Sequence, residues 1–120
     1  MTASEDQDHS FSRGDWKSGP ENVARGKDWF NQIYFAKNRE GTATKLDLHK
    51  DFKMVTEEIT YGLFLSDLST LDGIETEIVV LSGISIQNLK TESKWHLRGI
   101  RRVGMCLKDV QVVQECVSRV

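Results

Sequence analysis

The chain is poor in the groups that announce the commonest chemistries. It has two cysteines, Cys106 and Cys116, which form no CxxC pair and show no metal-ligand spacing. Both are expected as reduced structural thiols. Its three histidines, His9, His49 and His96, are too scattered for a zinc pattern, so neither a metal nor a cofactor is expected. There is one proline, Pro20, which leaves the rest of the chain free of the strongest helix breaker. The longest apolar run, Ile78–Ile86, falls well short of the ~20 residues that a membrane helix needs. Neither sign of charge dominates: 16 Lys and Arg face 18 Asp and Glu, for a net charge of −2. That balance predicts binding neither to nucleic acid nor to a membrane surface. The polar, acidic stretch Met1–Asp8 has no feature of a secretory or transit peptide, and the expected location is the cytoplasm.

What remains is helical patterning. A length of 120 residues suggests one domain. An apolar content of 38% is low for a lone domain, so part of the apolar surface is expected to be buried between copies of the chain. Residues 1–18 read as a flexible polar tail, with Phe11 and Trp16 able to dock on the body. Residues 19–120 form the domain. Pro20 suits the first turn of a helix. Val23, Trp29, Phe30, Ile33, Tyr34 and Phe35 make a helical stripe over 21–38, and Gly41-Thr42-Ala43-Thr44 is expected to break it. A second helix is expected over 48–65, where Phe52, Val55, Ile59 and Leu63 repeat at three- and four-residue steps.

Asp72 is a good N-cap for a third helix, 73–88. The β-branched residues of this segment also suit a strand, but its length favours a helix. Apolar side chains cover most of its circumference, so it is expected at the centre. Thr91 caps a fourth helix, 92–103, which Gly104 ends. The fifth covers 108–120. The whole is all-α, a small bundle of about five to six helices.

Glu77 and His96 flank the apolar segment. A carboxylate that opens an apolar helix is costly to bury unless it is paired or used. An imidazole folded back onto it makes an acid–base pair in a partly dry setting, the minimum for proton-transfer chemistry. The same pair can also serve as a plain hydrogen bond tying two helices. Tyr61 and Trp95 offer flat aromatic faces for a pocket wall, and serve equally well as core or interface residues. Arg98 can hold an anionic substrate, or form an ion pair with Asp72 or Glu75. Arg101 and Arg102 are expected in solvent or at a subunit contact. Gly99 allows a close helix approach, and Cys106 opens the last helix.

Several segments in order resemble the carboxymuconolactone decarboxylase family, within the wider alkyl hydroperoxidase D-like group. They are Asp51-Phe52, Tyr61-Gly62, Leu71-Asp72, Glu77-Ile78 and Trp95-His96-Leu97-Arg98-Gly99, with Gly104 closing the helix. The resemblance covers residues 48–118, and more loosely 20–40. It implies a small helical subunit of that fold, assembled as a dimer, trimer or hexamer, with active sites near subunit contacts. The implied chemistry is cofactor-free acid–base work on a small enolisable or cyclic metabolite. In that reading His96 moves the proton, Glu77 orients it, and Tyr61, Trp95 and Arg98 meet the substrate. The departures are specific. Leu89 and Glu92 stand where the thiol members carry cysteines, which excludes thiol peroxidase chemistry of that type. Thr76 and the connector Leu65-Ser66-Asp67-Leu68-Ser69 replace two arginines of the family pattern. An enzyme and a non-catalytic ligand-binding or assembly protein therefore both stand as expectations.

Overall fold

The computed structural model describes residues 13–119, which are helical and connecting segments without a strand. The helices are α1 (Pro20–Ile33), α2 (Ala36–Asp47), α3 (Lys50–Met54), α4 (Gly73–Ile86), α5 (Lys90–Arg102) and α6 (Leu107–Ser118). Between α3 and α4, α3 runs without a break into a π-helix, Val55–Leu65. The expected all-α class therefore holds for the described residues. The readings of Phe11, His9 and the acidic N-terminus lie outside them.

Pro20 occupies the first turn of α1, where its missing N–H costs nothing. Asn22, Gly26, Trp29 and Ile33 then fall on one buried face at helical spacing. That face packs chiefly on the π-helix, and its far end on α5. The α1–π contact is close because two glycines meet there. A Cβ on Gly26 would lie 2.8 Å from the backbone nitrogen of Gly62. A Cβ on Gly62 would lie 2.4 Å from Asn22 Nδ2. Polar groups lock the junction. Asn22 donates to the Glu58 carbonyl and carboxylate, and Arg25 donates to Gly62 O and Ser66 Oγ. The described part of the expected tail, 13–18, docks on this junction. Trp16 Nε1 donates to Asn22 Oδ1, and Arg13 pairs with Asp67.

Three sequence expectations are corrected. The first helix does not run on to residue 38. It stops at Ile33, the backbone turns extended at Tyr34, and α2 then passes straight through Gly41-Thr42-Ala43-Thr44. Tertiary contacts set that stop: Gly99 of α5 backs onto Ile33, and Arg102 donates to the Ile33 carbonyl. The fourth helix starts at Lys90 rather than after a Thr91 cap, and no side chain caps it. Finally, α4 is not the central helix. It packs chiefly on α5 and α6, while Val79 and Ile86 are 61% and 70% exposed. α5 instead bridges the two halves, touching α1 on one side and α4 and α6 on the other.

Other expectations hold. Asp72 and Glu75 form a reciprocal capping box at the start of α4. Gly104, at φ 121°, closes α5 with the paired hydrogen bonds of a Schellman turn, Gly104 N–H to Arg101 O and Met105 N–H to Ile100 O.

Candidate active site

Three helices and the residue that ends α1 converge on one buried polar cluster. Glu77 lies in the first turns of α4, on the face that also buries Thr76 and Leu81. His96 lies on the buried face of α5 with Gly99 and Ile100. The two side chains meet at 2.8 Å, His96 Nδ1 to Glu77 Oε2, and are 4% and 1% exposed. The pairing expected from the sequence is therefore present.

The other ring nitrogen has a partner that the sequence does not announce. His96 Nε2 stands 2.7 Å from the hydroxyl of Tyr34, and Tyr61 donates its own hydroxyl proton to Tyr34 at 3.2 Å. Tyr34 reaches the site because the backbone turns extended just past the end of α1. In the sequence it is only one more apolar position of a helical stripe. Nothing in its neighbours points to a residue 62 positions away.

The proton order of this chain follows from the inventory of donors. With Glu77 as a carboxylate, which only accepts, His96 Nδ1–H is the donor between the two. Nε2 is then the acceptor of a hydrogen bond from the Tyr34 hydroxyl, while the Tyr34 oxygen accepts from Tyr61. All three bonds run inward, towards the carboxylate. Glu77 Oε1 is also buried and has no hydrogen-bond partner among the described residues. A buried carboxylate oxygen left bare is costly and rare.

Aromatic packing holds the tyrosines in place. The Tyr34 ring meets His96 edge-on at 5.3 Å and Trp95 edge-on at 6.0 Å, and Phe30 stacks between Tyr34 and Tyr61 at 4.5 and 5.0 Å. Burial pushes the Tyr34 hydroxyl above its ordinary value, against the bond from Tyr61, which lowers it. Burial raises Tyr61 still further, and the nearby Tyr34 and Glu77 add to the effect. Both phenols are thus held neutral.

Two clefts flank the cluster, and neither is lined by Glu77 or His96. The first, about 240 Å³, lies between α1, α2 and the π-helix, and Phe30 and Tyr61 form part of its wall. The second, about 460 Å³, lies between α4, α5 and α6, with Lys90, Lys94 and Gln114 in its lining.

Of the sequence-predicted site residues, Glu77, His96 and Tyr61 belong to one hydrogen-bonded chain, and Trp95 packs beside it. Arg98 does not join it. It is exposed, pairs with neither Asp72 nor Glu75, and lies over the Phe35 ring at 5.9 Å. Arg102 stacks on that same ring at 3.6 Å and so is not simply in solvent. Cys106 and Cys116 are exposed and lie outside the cluster. Among the described residues no group of three or more His, Cys, Asp and Glu could hold a metal ion, and no helix is long and apolar enough to cross a membrane. No family model, no curated protein and no solved structure matches this chain.

Proposed function

We propose that the chain is a cofactor-free acid–base enzyme of the carboxymuconolactone decarboxylase-like kind. It acts on a small enolisable or cyclic, lactone- or polyketide-like metabolite by isomerisation, cyclisation or decarboxylation. One observation carries the reading. An unbroken line of hydrogen bonds, Tyr61 to Tyr34 to His96 to Glu77, leads from a residue of the cavity wall to a buried carboxylate.

The chemistry is proton withdrawal. A carbon acid bound against Tyr61 gives its proton to the phenol oxygen as the phenol proton moves on to Tyr34. The Tyr34 proton passes to His96 Nε2. Both phenols resist ionisation, so no tyrosinate accumulates and the transfers are concerted. The positive charge comes to rest on an imidazolium beside the Glu77 carboxylate, where a charge-assisted hydrogen bond stabilises it. Reversal returns the proton to another substrate atom, which completes an isomerisation. Subunits of the resembled family assemble with their sites near subunit contacts. The exposed Val79 and Ile86 of α4 are consistent with a second copy as partner.

The test is deuterium wash-in from heavy water into a panel of small cyclic ketones and lactones, followed by NMR. The wild-type chain should exchange at least one of them faster than buffer. His96→Ala and Tyr34→Phe should reduce that rate by about 10²-fold or more, the usual scale of general acid–base catalysis. Tyr34→Phe keeps the ring packing and removes only the hydroxyl, so its loss is not a folding effect.

A second reading, a non-catalytic ligand-binding or assembly protein, is favoured by a different observation. Tyr34 already occupies His96 Nε2, and neither Glu77 nor His96 lines a cleft. On this reading the cluster only ties α1, α4 and α5 together. Absence of exchange across the panel, or equal exchange by wild type and both variants, decides for it.

A further inference from the structure

The cavity beside Tyr61 contains a cation whose charge no carboxylate answers. Its lining carries three cations and two carboxylates. Lys53 pairs with Asp47, and Lys27 lies 3.7 Å from Glu57. Arg39 pairs with no carboxylate among the described residues. Its Nη1 donates to the backbone carbonyls of Asn31 and Tyr34, and its other N–H groups make no hydrogen bond there. Those two carbonyls belong to the end of α1 and to the residue just past it, so the guanidinium is fixed in place by the fold itself. A guanidinium presents five donors in a flat fork suited to a carboxylate or another planar oxyanion. The same lining carries two aromatic rings, Phe30 and Tyr61, set edge to face 5.0 Å apart. At about 240 Å³ the cavity is smaller than the roughly 300 Å³ at which drug-sized pockets begin.

We infer that this cavity is an anion site in which Arg39 recognises a small, flat, unsaturated ring compound that carries one carboxylate. The inference rests on the acid–base reading in treating this ligand as the class of substrate that Tyr61 meets. Arg39 is then a binding and positioning residue: its charge holds the oxyanion while the ring lies along the aromatic wall. A neutral isostere leaves the guanidinium fork unanswered and binds more weakly.

The test uses the full chain and two probes of one shape, benzoate and benzamide, titrated while backbone amide shifts are followed by NMR. Benzoate should move the amides around Phe30, Arg39 and Tyr61. It should bind about tenfold or more tighter than benzamide, which is the scale of one charge-assisted hydrogen bond. Replacing Arg39 itself removes the bonds that close α1, so the charge is better neutralised from outside. Ala43 lines the cavity one helical turn beyond Arg39, at the spacing where side chains meet. Ala43→Glu should abolish the preference for benzoate, and Ala43→Gln should preserve it.

Equal binding of the two probes overturns the inference, as does a preference that survives Ala43→Glu. Benzoate shifts confined to the second cleft, around Lys90, Lys94 and Gln114, also overturn it. The outcome is separable from that of the proposed enzyme. Charge-selective binding with no proton exchange leaves the anion site standing and removes the relay. Exchange without charge selection does the reverse.

Discussion

One hydroxyl, that of Tyr34, decides whether the buried pair is a closed knot or part of a line. It accepts from Tyr61 and lies against His96 Nε2, so it joins the histidine to the cavity wall. Tyr34 and Tyr61 are the only tyrosines of the chain, so any tyrosinate signal reports on this line alone. Burial raises both phenols above the ordinary value of about 10. The folded state therefore holds these protons more tightly than the unfolded chain does. Stability from this source is intact below about pH 10 and falls as the pH rises past it, because the unfolded chain ionises first. In an alkaline titration, tyrosinate absorbance should stay near zero while the fold persists. It should rise together with loss of helical circular dichroism. Gradual ionisation near the ordinary value in a folded chain would mean that the phenols are not buried in this line. Glu77 and His96 are legible as a pair because a carboxylate and an imidazole bracket an apolar segment. Tyr34 is not legible. Its role depends on a backbone turn that no local residue type demands.

At the scale of elements, close approaches at glycine fix where the helices sit. Gly99 lies against Ile33, where an added Cβ would stand 2.7 Å from Ile33 Cγ2 and 3.1 Å from its carbonyl oxygen. Gly99→Ala must push α1 away from α5 and should cost about 1–3 kcal/mol, the range for overpacking. Gly83, on the exposed side of α4, has open space around it, with nothing within 4 Å of the point where a Cβ would stand. Gly83→Ala should therefore stabilise the chain by roughly 0.5–1 kcal/mol, through helix propensity alone. Urea unfolding of the two variants should move the midpoint in opposite directions, and a shift in the same direction would contradict this packing. The close approach at Gly99 is legible in the sequence. The extent of α2 is not, because glycine and threonines at 41–44 are poor helix formers and the tertiary stop at Ile33 lies outside any local pattern. The capping box at Asp72 and the turn at Gly104 are legible because both are local chemistry.

At the scale of the whole molecule, the apolar surface is unevenly used. Among the described residues, Trp29, Ile33, Leu81, Ile100 and Val110 are the buried hydrophobic ones, while Phe52, Val79 and Ile86 are among the large ones left 61–70% exposed. Exposed apolar residues of this kind are expected where copies of a chain meet. Sedimentation should give a species heavier than 13.7 kDa, and Val79→Asp should shift it towards the single chain. A wild-type chain that sediments as a monomer would contradict assembly. The low apolar fraction of the sequence leads to the same expectation, but it does not indicate which face is involved. The polar line draws on α4, α5, the π-helix and the end of α1. The most direct measurement of it is the nitrogen-resolved imidazole NMR spectrum of His96, compared between wild type and Tyr34→Phe. The account predicts a proton on Nδ1, an accepting Nε2, and a clear displacement of the Nε2 resonance when the Tyr34 hydroxyl is removed. A proton on Nε2, or a resonance indifferent to Tyr34→Phe, would contradict it.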